Sequence, residues 1–103
     1  MCIDSLVYFP LNLTAGQSVE LLCNTSLTAD IMWTYDTDDG YVDYIYWSGH
    51  FADNKPRLSV KSTQAGFHSL VFNDTKLKDG GLYDCYDGKG LRKVGYQLII
   101  AGM

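Results

Sequence analysis

Histidine is nearly missing from this chain: His50 and His68 are the only two in 103 residues. A hydrolytic triad needs an imidazole oriented by a carboxylate beside an activated Ser or Cys. His50 sits in a loop-like stretch without a nucleophile pattern beside it, and His68 reads as a solvated histidine on a strand surface. The chain is therefore not read as an enzyme. Basic residues are few as well. Eight Lys and Arg against twelve Asp and Glu give a net charge of −4 and a pI near 4.8. Nucleic-acid phosphates need a basic face, so that class of partner is excluded. No apolar run approaches the roughly 18 residues of a membrane span, and no signal-peptide pattern is present. Met1 is expected to be a start placed before a mature fragment, with membrane association only through an anchor outside this stretch. Helical periodicity, internal repeats and low-complexity tracts are also lacking. A chain of this length is expected to form one domain over residues 1–103. It can bury perhaps two-thirds of its unfolded surface, enough for one core.

The acidic run Asp36-Thr37-Asp38-Asp39-Gly40 is not a calcium loop. An EF-hand puts Gly at the sixth position and Glu at the twelfth, where this run has Tyr41 and Trp47. It reads as a solvated turn, and no cofactor or metal is expected. Three cysteines, Cys2, Cys23 and Cys85, allow three single pairings, and spacing alone does not choose among them.

Three of the four asparagines open Asn-x-Ser/Thr triplets: Asn12-Leu13-Thr14, Asn24-Thr25-Ser26 and Asn73-Asp74-Thr75. Ser and Thr make up 14 of 103 residues, so each match has about a one-in-seven chance and three from four is unexpected. These read as N-glycosylation acceptors in a secreted chain.

Alternation of apolar and polar residues, the signature of strands, recurs from end to end. Residues 3–8 read as a first edge strand that Pro10 breaks, with extension resuming over 11–13. Residues 19–23, 31–35 and 41–47 follow, then 57–60, 67–72, 82–87 and 91–100, with a short strand hidden within 48–56. In 67–72, Leu70 and Phe72 are expected inside. The turns are marked by Ala15-Gly16-Gln17-Ser18 and by Asp87-Gly88-Lys89-Gly90.

Asp79-x-Gly81-x-Tyr83-x-Cys85 places its constrained residues at alternate positions, so Tyr83 and Cys85 share one strand face. Cys23 closes an alternating run upstream, and Trp33 follows ten residues later. This order, Cys23…Trp33…Asp79-x-Gly81-x-Tyr83-x-Cys85, resembles the immunoglobulin superfamily over nearly the whole chain. The resemblance implies an all-β sandwich of two antiparallel sheets, V-type or intermediate I-type. The back sheet would hold A, B, E and D, and the front sheet A′, G, F, C and C′. It also implies a Cys23–Cys85 disulfide with Trp33 packed on it and a tyrosine corner at Tyr83. Arg57 opening strand D is expected to ion-pair with Asp79, as in V-type domains. Cys2 is left over, a free terminal thiol on the plain reading and an intermolecular bridge on the sharper one. The short turn after Cys85 does not fit a rearranging antigen receptor.

The aromatic content is high, with eight Tyr, four Phe and two Trp, and Met, Tyr and Trp are enriched at interface cores. If Trp33, Tyr83 and Cys85 face inward, the front of the G-F-C-C′ sheet carries Met32, Thr34, Asp84, Tyr86 and two of Tyr44, Ile45, Tyr46 and Trp47 from strand C′, whichever its register sends outward, with Tyr46 expected at the centre. Lys89, Arg92 and Lys93 would flank it on one side and Asp36, Asp38, Asp39 and Asp43 on the other. The expected partner is a protein ligand or a second copy meeting this sheet. The expected function is an extracellular binding module, the ligand-binding or adhesion ectodomain of an immune-type receptor. The alternatives are a secreted recognition or viral decoy protein and a structural spacer in a multidomain adhesion chain.

Overall fold

The structure, a computed structural model, describes residues 7–24, 31–36, 42–47, 50–51, 58–62 and 68–102. Among them run β1 (Phe9–Thr14), β2 (Val19–Leu21), β3 (Met32–Asp36), β4 (Val42–Trp47), β5 (His50–Phe51), β6 (Leu58–Ser62), β7 (His68–Phe72), β8 (Gly81–Tyr86) and β9 (Arg92–Ala101). The front sheet has the order β1-β9-β8-β3-β4-β5, and the back sheet the order β2-β7-β6. All pairings are antiparallel except β1 with β9, which run parallel from Phe9↔Tyr96 to Thr14↔Ala101.

Alternation builds the core. Leu21 and Cys23 face in from the β2 side, Leu70 and Phe72 from β7, Trp33 from β3, Tyr83 and Cys85 from β8, and Leu98 from β9. The two cysteines are bonded to each other, with Cα atoms 6.4 Å apart. Trp33 is the register partner of Cys85, so the indole lies beside the disulfide. It is fully buried, and its Nε1 donates to the His68 carbonyl across the sandwich at 3.2 Å. Tyr96 adds a second tie between sheets, stacking on Trp33 with ring centroids 6.3 Å apart and donating to the Leu22 carbonyl.

Four local expectations change. Pro10 does not break a strand: it is the second residue of β1, at the sheet edge, where a missing N–H costs no ladder bond. The segment expected as a strand at 3–8 lies outside the described residues up to residue 6, and 7–8 is not strand. A 3-10 turn forms at Leu77–Asp79 where no helix was expected. The Asp79 carboxylate caps it by accepting the Lys76 N–H at 2.7 Å. His68 is not a solvated surface residue; it shares the alternation of Leu70 and Phe72, and its Nε2 is buried. The short strand foreseen within 48–56 is β5, paired to β4.

Candidate binding face

Core residues on β3, β8 and β9 leave the alternate positions pointing out from the front sheet. Register fixes their neighbours. Met32 lies across from Tyr86, Thr34 from Asp84, and Asp36 from Leu82. Asp84 in turn faces Gly95, and Tyr86 faces Arg92 after a register shift at Cys85/Tyr86.

Asp84 is not open to solvent; it is only 2% exposed. Arg92 Nε donates to Asp84 Oδ1 at 2.6 Å, and the Tyr8 hydroxyl donates to Asp84 Oδ2 at 2.9 Å. The Arg92 guanidinium lies 4.8 Å from the centre of the Tyr8 ring, a cation–π arrangement. Its Nη2 also donates to the Val7 carbonyl at 2.7 Å. These three side chains lie over Gly95. A Cβ there would stand 1.9 Å from Arg92 Nη2 and 2.8 Å from the Tyr8 ring. The bare backbone of residue 95 is what lets the chain at 7–8 fold down onto the sheet.

The charges around this latch act on one another, the Arg92–Asp84 contact favourably and the Asp84–Asp36 proximity unfavourably. Burial, then the Asp84 hydrogen bond and charge, pushes the Tyr8 hydroxyl up to about 12. Burial and the neighbouring Asp84 also raise Asp36, against the lowering pull of Arg92. Tyr86 is raised by burial and by Asp84 and Asp36. Burial alone would lower Arg92, but its hydrogen bond and charge contact with Asp84, together with Tyr8, hold it above its usual value.

The sequence-derived set divides on this surface. Met32 and Tyr86 are half-buried on the outer face. Thr34, at the same outward register as Met32 and Asp36, is only 3% exposed. Asp84 is covered by the latch, so neither Thr34 nor Asp84 offers open surface. Tyr46 packs against the core instead of facing out. The cause is a bulge: Trp33 pairs with Tyr46 but Thr34 with Tyr44, and Ile45, between them, is buried. The residue of β4 that accompanies Thr34 on the outer face is Tyr44, 41% exposed. The expected basic flank also changes. Arg92 is consumed by the latch, and Lys93 Nζ lies 3.9 Å from Asp87 Oδ2. Asp38 and Asp39 lie outside the described residues.

The turn at 87–90 is held tightly. Asp87 Oδ1 accepts the Lys89 and Leu91 N–H groups at 2.8 and 2.9 Å. Those backbone bonds, chiefly from Leu91, and the nearby Lys93 and Lys89 hold the Asp87 carboxyl below its usual range. Four residues fixed this way project no long loop. At the opposite end of β8, the Tyr83 hydroxyl donates to the Asp79 carbonyl at 2.6 Å, the expected tyrosine corner. Asp79 is buried, while Arg57 lies outside the described residues, so their expected pairing does too.

Among solved structures, that of the ZIG-8–RIG-5 IG1–IG1 heterodimer is similar over 96% of this chain and 87% of that one, with a TM-score of 0.75 and 20% identity. The ZIG-8 IG1 homodimer is similar over 98% of this chain and 85% of that one, with a TM-score of 0.74 and 19% identity. The chain has an immunoglobulin fold. Its β1, β9, β8, β3, β4 and β5 are strands A′, G, F, C, C′ and C″ of the V-type arrangement, and β2, β7 and β6 are B, E and D. The chain matches no protein-family model and no curated protein. Within this immunoglobulin sandwich, the residues that sequence reasoning missed are Tyr8 and Gly95, while Tyr44 is the member of the strand C′ set that the register turns outward. Gly95 carried a signal, since a glycine inside a strand marks close approach by another group. Nothing in the spacing announced that Tyr8 would reach a residue 76 positions away.

Among the described residues, no group of three His, Cys, Asp or Glu side chains is placed to hold a metal ion.

Proposed function

We propose that the chain is a single V-type immunoglobulin domain acting as an extracellular protein-binding module, the recognition or adhesion part of a cell-surface receptor. It meets its partner with the flat front sheet, and a second immunoglobulin domain, first of all its own copy, is the partner that fits. The observation carrying this reading is the make-up of that sheet. Met32, Tyr44 and Tyr86 present broad side chains around a latch that already neutralises the central charge. The two tyrosines give contact area at low ordering cost, and the flexible thioether of Met32 adapts to the surface it meets. The turn at 87–90 is too short and too tightly bonded to serve as a binding loop, which leaves the sheet. The core disulfide supports an oxidising, extracellular compartment. Two of the solved structures of similar fold are pairs of IG1 domains, one heterotypic and one homotypic.

Sedimentation of the wild type and a Tyr86→Ala variant over a concentration series tests the reading. Concentration-dependent dimerisation that Tyr86→Ala weakens at least tenfold supports pairing through the front sheet. A dimer indifferent to Tyr86→Ala moves the interface elsewhere. A wild type that stays monomeric at every concentration refutes the homotypic form.

A further inference from the structure

The three Asn-x-Ser/Thr triplets are not equivalent once placed in the fold. Asn24 follows Cys23 on the alternation that turns Leu21 and Cys23 into the core, so it points off the back sheet. Asn73 follows buried Phe72 and leads into the segment that pairs with Gln17 at the end of the sandwich. Its triplet threonine, Thr75, is fully buried and donates Oγ1 to the Gln17 carbonyl at 2.7 Å, so the fold itself explains a threonine at 75. Asn12 differs. Leu11 and Leu13 pack against the core, which turns Asn12 and the exposed Thr14 to the outer face of the front sheet. Its register partner on β9 is Ile99, which alternates with core-packed Leu98 and Ile100 and is 43% exposed. An acceptor asparagine and an uncovered isoleucine therefore lie side by side at one corner of the proposed binding face.

We infer that Asn12 carries an N-linked glycan that covers Ile99 and closes the A′–G corner of the front sheet, confining a partner to the half built by β8, β3 and β4. Attachment precedes folding: the Asn12 amide nitrogen attacks C1 of the first N-acetylglucosamine of a lipid-diphosphate-linked oligosaccharide. The N–C1 bond forms, the C1–O bond to phosphate breaks, the amide gives up one proton, and the lipid diphosphate leaves. The first sugars lie along the outer face of β1 and β9, where their apolar faces replace water over Ile99. The remainder of the glycan projects beyond the edge strand, away from Met32, Tyr44 and Tyr86. This rests on the reading that the domain is secreted and pairs through this sheet.

The chain is expressed through the secretory pathway of a eukaryotic cell, and site occupancy is read by peptide mass spectrometry before and after enzymatic deglycosylation. Asn12 is expected to be occupied in most molecules; an unmodified Asn12 overturns the inference whatever the state of the other two. Sedimentation then compares glycosylated wild type with Asn12→Gln and Asn73→Gln. Removing the Asn12 glycan is expected to tighten or enlarge self-association severalfold, and Asn73→Gln to leave it unchanged. Equal behaviour of the two variants overturns the covering role. Occupancy is measured on the monomer, so a domain that fails to self-associate refutes homotypic pairing through this sheet without touching the glycan site.

Discussion

Arg92 and Asp84 sit where an open sheet face would carry two solvated side chains. The pair is built as a latch, and its energetics follow from burial. Asp84 is nearly sealed, so Arg92→Ala leaves a carboxylate without its cation and is expected to cost about 3 kcal/mol, checked by urea unfolding. Tyr8→Phe removes one hydrogen bond to a charged acceptor and should cost about 1.5 kcal/mol on the same assay. Equal stability of Arg92→Ala and wild type would contradict the latch. Asp36 makes the opposite case. Its carboxyl is raised above the ordinary 3.8 by burial and by Asp84, so the folded state holds its proton more tightly than the unfolded chain. Stability therefore falls as pH rises from about 3.8 through the folded value, and the penalty persists at neutral pH. Asp36→Asn is expected to raise the melting temperature at pH 7 and to lose that advantage at pH 3. A lower melting temperature for the variant at pH 7 would show that Asp36 is a stabilising partner of Arg92 instead.

At the scale of elements, what the sequence made legible was what alternation determines and what the immunoglobulin resemblance implied. The inward faces at Leu21, Trp33, Leu70, Phe72, Tyr83 and Cys85 follow from period two, and all are buried; the Cys23–Cys85 disulfide and the tyrosine corner came with the resemblance. What it hid was each place where period two fails or where distant segments meet outside that motif. One extra residue in β4 buries Ile45 and sends Tyr46 inward, and composition gives no sign of a bulge among four consecutive β-forming residues. The covering of Asp84 by Tyr8 depends on a crossing of the chain over the sheet, which no local pattern encodes. Gly81 shows the reverse, a local rule with a tertiary reason. It has φ +145, and a Cβ would lie 2.6 Å from Tyr35 Cε1. Tyr35 is itself held there by its hydroxyl, which donates to the Gly80 carbonyl at 3.0 Å, and by the Tyr83 ring 4.9 Å away. Gly81→Ala is expected to cost on the order of 2 kcal/mol, from backbone strain and the displaced ring. A thermal melt indistinguishable from wild type would count against this packing of the corner.

For the molecule as a whole, the disulfide closes a sequence separation of 62 and joins the two sheets through the centre of the core. The chain-entropy model assigns such a loop about 4 kcal/mol. A Cys23→Ala/Cys85→Ala protein should therefore unfold at markedly lower denaturant, with Trp33 fluorescence as the reporter. The disulfide anchors the front sheet through Cys85 on β8. The outer surface of this sheet combines Met32, Tyr44 and Tyr86 with a neutralised ion pair, and its hairpin at 87–90 is tied back by Asp87. On the proposed reading, this surface pairs with another sheet. Hydrogen–deuterium exchange on dilute and concentrated samples of the same protein tests that claim most directly. The account predicts added protection on concentration in β8, β3 and β4, with β2, β6 and β7 unchanged. Protection confined to β2, β6 and β7, or no concentration dependence in any strand, would contradict it.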